Sequence, residues 1–239
     1  MRIKPLVDLE VSRFEPGQIF SYNDLPVFQE NPSTTIKTVS RLVLDGSLRR
    51  FSKGLFYRPK LGLFGEVPLS DSEKIKTYLF RQGKRVGYIT GTSLYNRLGL
   101  TTQVARTITI ASDMSAQLKN HGTVEVRLIK ARYEVTNENR ACLEILDALA
   151  DIRNIPDAEP AFVLNILADR IKEMAPFTCS LLVELARGYP PSVKALLGLL
   201  LGSKNICDVD GLKNELNPTT RYKIGLKGLW PEAKAWNIE

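Results

Sequence analysis

Lys37, Arg41, Arg49, Arg50, Lys53, Arg58 and Lys60 fall within one short stretch, against the single carboxylate of Asp45, a surplus of six positive charges (7 − 1). Such a cluster neutralises phosphates and releases their condensed counterions. Thr34, Thr35 and Thr38 lie among the first of these cations, and hydroxyl, amine and guanidinium groups on one helical face suit the base edges of a major groove. Candidate DNA-contacting residues are therefore Thr34, Thr35, Lys37, Thr38, Arg41, Arg49, Arg50, Lys53 and Arg58. The plainer alternative is a solvated amphipathic helix followed by a basic hairpin.

A second constellation is Gly202-Ser203 followed by Asp208-Val209-Asp210, which mimics the glycine-serine turn and paired carboxylates of nucleotidyltransferases. There the turn holds a triphosphate and the carboxylates bind magnesium. Only four residues separate Ser203 from Asp208, and Ser192–Leu201 reads as a helix where a buried strand is required. The expectation is a helix end and a solvated acidic turn, with no catalytic residue. Gly198–Lys204 lacks the lysine spacing of a phosphate loop. The single histidine, His121, sits in a turn and reads as structural. Cys142, Cys179 and Cys207 have no metal-ligand spacing, so buried thiols in a reducing cytoplasm are expected, with no metal and no cofactor.

The elements that position the basic residues are legible locally. Ile36, Val39, Leu42 and Val43 make an apolar stripe at helical spacing, with Thr34, Lys37, Thr38 and Arg41 on the other face. Ser33 or Thr34 is the expected cap, and Gly46 the left-handed stop. Residues 48–51 and 55–58 form two β-prone runs around Ser52-Lys53-Gly54, a hairpin. Upstream, Leu6–Arg13 reads as a first helix and Phe20–Leu25 as the start of a second, with Ser21 as cap. Helix, helix, recognition helix and hairpin in that order is a winged helix-turn-helix.

Downstream, Leu61–Leu69 reads as a linker, and Ser70–Gln82 and Gly91–Leu98 as helices. Val86–Ile89, Thr107–Ala111 and Val124–Ile129 read as strands. Glu138–Ile152 is a strong helix whose buried face is Cys142, Ile145, Leu146 and Leu149. Helices are expected over about 161–174, 179–187 and 192–201, before a tail that Trp230 and Trp236 clamp to the core. The 239 residues, 44% hydrophobic, suffice for a real core in one large domain or two small ones. Net charge is +7, but residues 1–60 carry +4, 61–134 carry +5 and 135–239 carry −2, so a polyanionic partner belongs to the first half. No signal peptide follows Met1-Arg2-Ile3-Lys4, and Ala195–Leu201 is too short to span a bilayer.

Arg41–Tyr57 resembles the winged-helix segment of AbiEi-like antitoxins, the antitoxin halves of abortive-infection, type IV toxin–antitoxin pairs. Gly91–Val104, with its Leu98-Gly99-Leu100-Thr101-Thr102-Gln103 run, is similar to the middle block of that group, and Ala233–Ile238 to its closing signature. The resemblance implies a winged helix that binds promoter DNA and represses its own operon. It also implies a C-terminal part that opposes a nucleotidyltransferase-type toxin, typically without a tight complex, in defence against phage.

The expected fold is α+β: a winged helix-turn-helix over residues 1–65, then a larger domain over 66–239, mixed α/β to about 135 and mostly helical after. The expected function is a cytoplasmic, non-enzymatic autorepressor and antitoxin whose partners are its promoter DNA and a cognate toxin. Lys84, Arg85, Arg97 and Arg106 flank the middle block and are the candidate antitoxin surface. The alternatives are a nucleotidyltransferase-like enzyme using Asp208 and Asp210, and a plain winged-helix transcription factor with a sensing or dimerisation domain.

Overall fold

The computed structural model describes residues 3–202, 209–226 and 228–239, and the chain is a mixed α+β protein. It divides into two units, one ending at Lys84 and the other running from Arg85 to Glu239. The first unit therefore extends beyond residue 65, where the sequence suggested a boundary. Ser203 and Asp208, half of the nucleotidyltransferase-like constellation, lie outside the described residues, as does Cys207.

The first unit opens with α1 (Ile3–Ser12), β1 (Ile19–Ser21), a 3-10 turn (Tyr22–Asp24), α2 (Pro26–Glu30) and α3 (Pro32–Leu44). Phe20 thus lies in a strand, and the expected helix start is a short 3-10 helix that Ser21 caps with Asp24 in its turn. Asp24 still holds the turn, accepting from the Ser21 backbone N–H at 2.7 Å and from its hydroxyl at 2.8 Å. Leu25 precedes a proline and stays extended (φ −103, ψ 109), because the proline ring disfavours helical geometry in the residue before it. Pro26 then opens α2 at a position whose missing N–H costs nothing. The same rule moves the start of α3: Pro32 is already helical, Asn31 is the capping position, and neither Ser33 nor Thr34 caps it. Gly46 follows with φ +84, a backbone that only glycine adopts without strain, and turns the chain into β2 (Arg49–Ser52) and β3 (Leu55–Tyr57).

These two strands and β1 make an antiparallel sheet in the order β1-β3-β2, and a register shift between Arg50 and Ser52 bulges the hairpin at Phe51. Val7, Val11, Phe20, Leu25, Val27, Val39, Leu48 and Phe56 form the core beneath it. Phe14 stacks on Phe20 with centroids 4.4 Å apart, and Tyr22 meets Phe56 edge-on at 5.0 Å. The expected linker at 61–69 is instead a second hairpin, β4 (Lys60–Gly62) and β5 (Gly65–Val67), exposed along its length. Two-residue turn geometry at Leu63-Phe64, with glycines on both sides, pairs the strands where local composition suggested only punctuation. Next come α4 (Asp71–Leu79), capped by the Ser70 hydroxyl, and the two-residue strands β6 (Phe80–Arg81) and β7 (Lys84–Arg85) at the junction.

In the second unit, β8 (Gly87–Thr90), β9 (Thr107–Ser112), β10 (Gln117–Asn120) and β11 (Glu125–Lys130) form one sheet in the order β10-β11-β9-β8. The β9–β11 pair is parallel and the outer pairs antiparallel. Polar, exposed β10 carries no alternation to mark it in the sequence. Between β8 and β9 lies α5 (Thr92–Arg97), and α6 (Arg140–Ala150), α7 (Pro160–Lys172), α8 (Pro176–Ala186) and α9 (Pro191–Gly202) follow the sheet. The helix α6 packs on β8, α8 and α9, and buries the four residues its spacing indicated. After α10 (Asp210–Asn214), a 3-10 segment (Pro231–Trp236) lays the Trp236 ring on Gly198 of α9, where an added Cβ would come within 2.1 Å of it. Among the described residues no helix is long and apolar enough to cross a membrane.

Candidate nucleic-acid interface

The helix α3 presents Ser33, Thr34, Ile36, Lys37, Ser40, Arg41 and Leu44 to solvent, and buries Thr35, Thr38 and Val39. Spacings of three and four run through both sets, so each is one face of the helix. Thr35 and Thr38 are therefore removed from the candidate DNA contacts. They lie on the side where α1 and α2 pack, their short branched side chains fitting helices at close approach. Thr38 satisfies its hydroxyl by donating to the Thr34 carbonyl at 2.9 Å, whereas the Thr35 hydroxyl is buried with no partner. Ile36 is rotated outward, 41% exposed, and Leu44 is 86% exposed. Ser40 and Leu44 share the face with Lys37 and Arg41. Of the apolar stripe, Val39 is buried and Leu42 and Val43 pack against the core, so only Ile36 departs from the face its spacing indicates.

The hairpin cations divide by what holds them. Arg49 Nε lies 3.1 Å from the Glu66 carboxylate, and its Nη1 donates to the Gly46 carbonyl at 3.1 Å. Glu66 also accepts from Tyr57 Oη at 3.4 Å, which joins β5 to the β2–β3 hairpin and, after burial, is the next cause raising the Tyr57 pKa. Arg50 Nε donates to the Ser52 carbonyl at 3.3 Å, which stiffens the bulge, and its side chain stays exposed. Lys53 stands exposed in the hairpin turn beside Gly54, whose φ is +76. Arg58 is removed from the interface: its Nη1 donates to the Ser12 and Phe14 carbonyls at 3.1 and 3.0 Å, closing the C-terminal end of α1. Arg49 is exposed but paired with Glu66, and Lys37, Arg41, Arg50 and Lys53 remain as exposed cations that no carboxylate among the described residues pairs, on a helix and a hairpin joined by a four-residue connection.

The four basic residues around the middle block do not form one group. Lys84 is exposed and belongs to the first unit. Arg106 is exposed in the loop before β9. Arg85 is half-buried, its Nε donating to Asn137 Oδ1 at 2.8 Å and its Nη1 to the Gly87 carbonyl at 3.2 Å. Arg97 pairs with Glu144 at 2.7 Å, and Arg140 reaches the same Glu144 oxygen at 2.8 Å. Burial, then repulsion by Arg140, lowers the Arg85 pKa, while Glu144 opposes the shift. Arg140 was not singled out in the sequence, since only the fold brings the first turn of α6 to the last turn of α5.

The buried polar centre of the second unit was also illegible. Asp147, on α6, accepts from Tyr88 Oη at 2.9 Å, Thr90 Oγ1 at 2.7 Å and Tyr189 Oη at 2.8 Å. The Arg132 guanidinium lies over the Tyr189 ring, 4.8 Å from its centroid. Burial raises the Asp147 pKa against the pull of these three hydroxyls and Arg132. One turn on, Tyr95 Oη donates to Asp151 at 2.5 Å. Every donor in the first group ends on Asp147, so the arrangement ties α6 to β8 and to the segment before α9, and leaves no free nucleophile–base pair. An aspartate on a helix that buries most of its residues was its only mark in the sequence. Cys142 and Cys179 are buried free thiols, and burial pushes Cys142 up to about 11, well away from a reactive thiolate. Among the described residues no group of three His, Cys, Asp or Glu side chains is placed to hold a metal.

No curated protein matches the chain. Among solved structures, the RV2827C protein from Mycobacterium tuberculosis is similar at 14% sequence identity and a TM-score of 0.48, over 92% of this chain and 83% of that one. A family model matches residues 8–173, which reach from α1 through α7. That span is most of the chain and includes the exposed α3 face, the hairpin and the arginine cluster, and the chain belongs to the DUF6088 family, a family of unknown function.

Proposed function

We propose that the first unit is a winged helix-turn-helix that binds duplex DNA, with α3 as recognition helix and β2–β3 as wing. One observation carries the reading: the outward face of α3 holds Lys37 and Arg41 with Ser33, Thr34 and Ser40, and the connected hairpin adds Arg50 and Lys53. A helix with that face fits the major groove, about 12 Å wide, while the hairpin cations meet flanking phosphates. The charges of Lys37 and Arg41 likewise neutralise phosphates along the groove, and the Ser33, Thr34 and Ser40 hydroxyls of α3 reach base edges and select the sequence.

The residue resemblance extends this to an autorepressor that binds its own promoter, and to an antitoxin that counteracts a nucleotidyltransferase-type toxin through the second unit. The test is the full chain carrying Lys37→Ala and Arg41→Ala. It is expected to lose repression of a promoter reporter and still rescue growth when a co-expressed nucleotidyltransferase-type toxin is induced. Loss of neither activity removes α3 as the DNA-reading element. Repression by the unmodified chain without any rescue leaves a transcription factor and removes the antitoxin.

A further inference from the structure

We propose that Arg85, Arg97 and Arg140 of the second unit form a binding site for a phosphate group. Two guanidiniums, Arg97 and Arg140, share a single oxygen of the Glu144 carboxylate, and Arg85, held by Asn137 and the Gly87 carbonyl, lies near enough for all three charges to act on it. Glu144 is the buried member, its side chain 8% exposed, against 46% for Arg97 and 36% for Arg140. The carboxylate therefore anchors the cluster from beneath and the cations face outward. One carboxylate between the two guanidiniums of Arg97 and Arg140 leaves a net positive charge, which suits an anion. Each guanidinium carries five N–H donors in a planar fork, and Glu144 engages one nitrogen of each of its two partners in these contacts.

The placement of Arg140 is a second, independent mark. It occupies the first turn of α6, the positive end of the helix dipole, where cations are unfavourable. No acidic residue stands in that turn, and the capping residue Asn139 makes no side-chain bond to the helix N–H groups. Its amide instead donates to the Glu134 carbonyl at 2.8 Å and its carbonyl accepts from the Thr136 N–H at 2.9 Å. Glu138, the nearest preceding acid, is fully exposed and hydrogen-bonded to Thr136. Sequence, helix end and neighbouring cations all accumulate positive potential at one place, a local conflict of the sort that stable folds retain at working sites. Arg85 also lines a cleft of about 310 Å³ with Lys130, Arg132, Asp113 and Glu134, room for the remainder of a phosphorylated ligand.

Phosphate can arrive on a nucleotide or in a nucleic-acid backbone, and the measurement separates them. Isothermal titration calorimetry on the full chain uses inorganic pyrophosphate as probe, with circular dichroism checking each variant. The expected result is saturable binding that Arg97→Ala or Arg140→Ala each weakens on the order of tenfold. Arg97→Lys with Arg140→Lys keeps the charge and a partner for Glu144 but loses the planar fork. It folds and still binds on the order of tenfold more weakly. Arg106→Ala binds as the unmodified chain. The source is then read in the Lys37→Ala, Arg41→Ala background. Adenosine triphosphate binding with arginine dependence indicates a nucleotide site, and single-stranded oligonucleotide binding with that dependence indicates a backbone contact. Absence of pyrophosphate binding, equal binding by the folded double lysine variant, or failure of both phosphate sources overturns the proposal. The site is independent of the DNA reading of the first unit, since α3 is disabled in the last comparison.

Discussion

Salt dependence gives the sharpest test of the α3–hairpin interface. Lys37, Arg41, Arg50 and Lys53 are its exposed cations without a carboxylate partner, whereas Arg49, also exposed, is paired with Glu66 and Arg58 is committed to the end of α1. Each phosphate contact contributes about 0.9 to the slope of log K against log salt, so four contacts give a slope of about −3.6. Between 50 and 200 mM salt such a protein loses affinity by about 150-fold. With Lys37→Ala and Arg41→Ala the slope falls to about −1.8 and the same change in salt costs only about 12-fold. Fluorescence anisotropy on a labelled fragment of the upstream promoter, titrated at four salt concentrations, measures both slopes. Arg58→Ala is the control. It removes two charge-assisted hydrogen bonds and destabilises the first unit by about 2 kcal/mol, but leaves the slope of the folded fraction unchanged. Equal slopes for the unmodified chain and the α3 double variant refute the interface. A slope lowered by Arg58→Ala as much as by an exposed cation refutes the sorting of the cations.

Three further outcomes follow from the packing. Thr35→Val removes a buried hydroxyl that has no partner at nearly constant shape, and is expected to raise the unfolding free energy in urea by about 1 kcal/mol; a loss would mean that the hydroxyl is satisfied. Asp147→Ala strands three buried hydroxyls and is expected to cost about 3 kcal/mol. The pH dependence has a definite sign, because the folded Asp147 pKa is raised above the ordinary carboxylate value of 3.8. The protonated folded form is favoured below that value, and its contribution is lost as pH rises towards the folded pKa. The stability of the unmodified chain relative to Asp147→Asn should therefore decline across that window, and a difference that grows with pH would contradict the assignment. Gly198→Ala puts a Cβ against the Trp236 ring and is expected to cost about 1–3 kcal/mol through overpacking, despite alanine's better helix propensity, with a changed near-ultraviolet circular dichroism signal. An unchanged near-ultraviolet signal and stability would mean that the tail does not rest on α9.

The sequence by itself determined what depends on near neighbours. The spacing of Cys142, Ile145, Leu146 and Leu149 marks α6 and its buried face, because a helix repeats every 3.6 residues whatever surrounds it. Gly46 and Gly54 mark the stop of α3 and the hairpin turn, because their positive φ is intrinsic to glycine. The basic stretch and the later change of charge are properties of composition alone.

Tertiary structure decided the rest. Which side of α3 faces inward depends on the approach of α1 and α2. Val39, Leu42 and Val43 face the core as their spacing indicates, but Thr35 and Thr38 join them while Ile36 comes out. Whether a cation is available depends on its partners, and those of Arg58 and Arg49 lie 44–46 and 17 residues away. The parallel pairing of β9 with β11 likewise rests on bonds between segments whose own residues do not encode a partner. Arg97 and Arg140 meet at Glu144 only because α5 and α6 are brought together. Asp147 gains its three hydroxyl donors from β8 and from the segment before α9 in the same way. Local chemistry sets which elements form, and burial across long chain separations sets which of their faces remain free to bind.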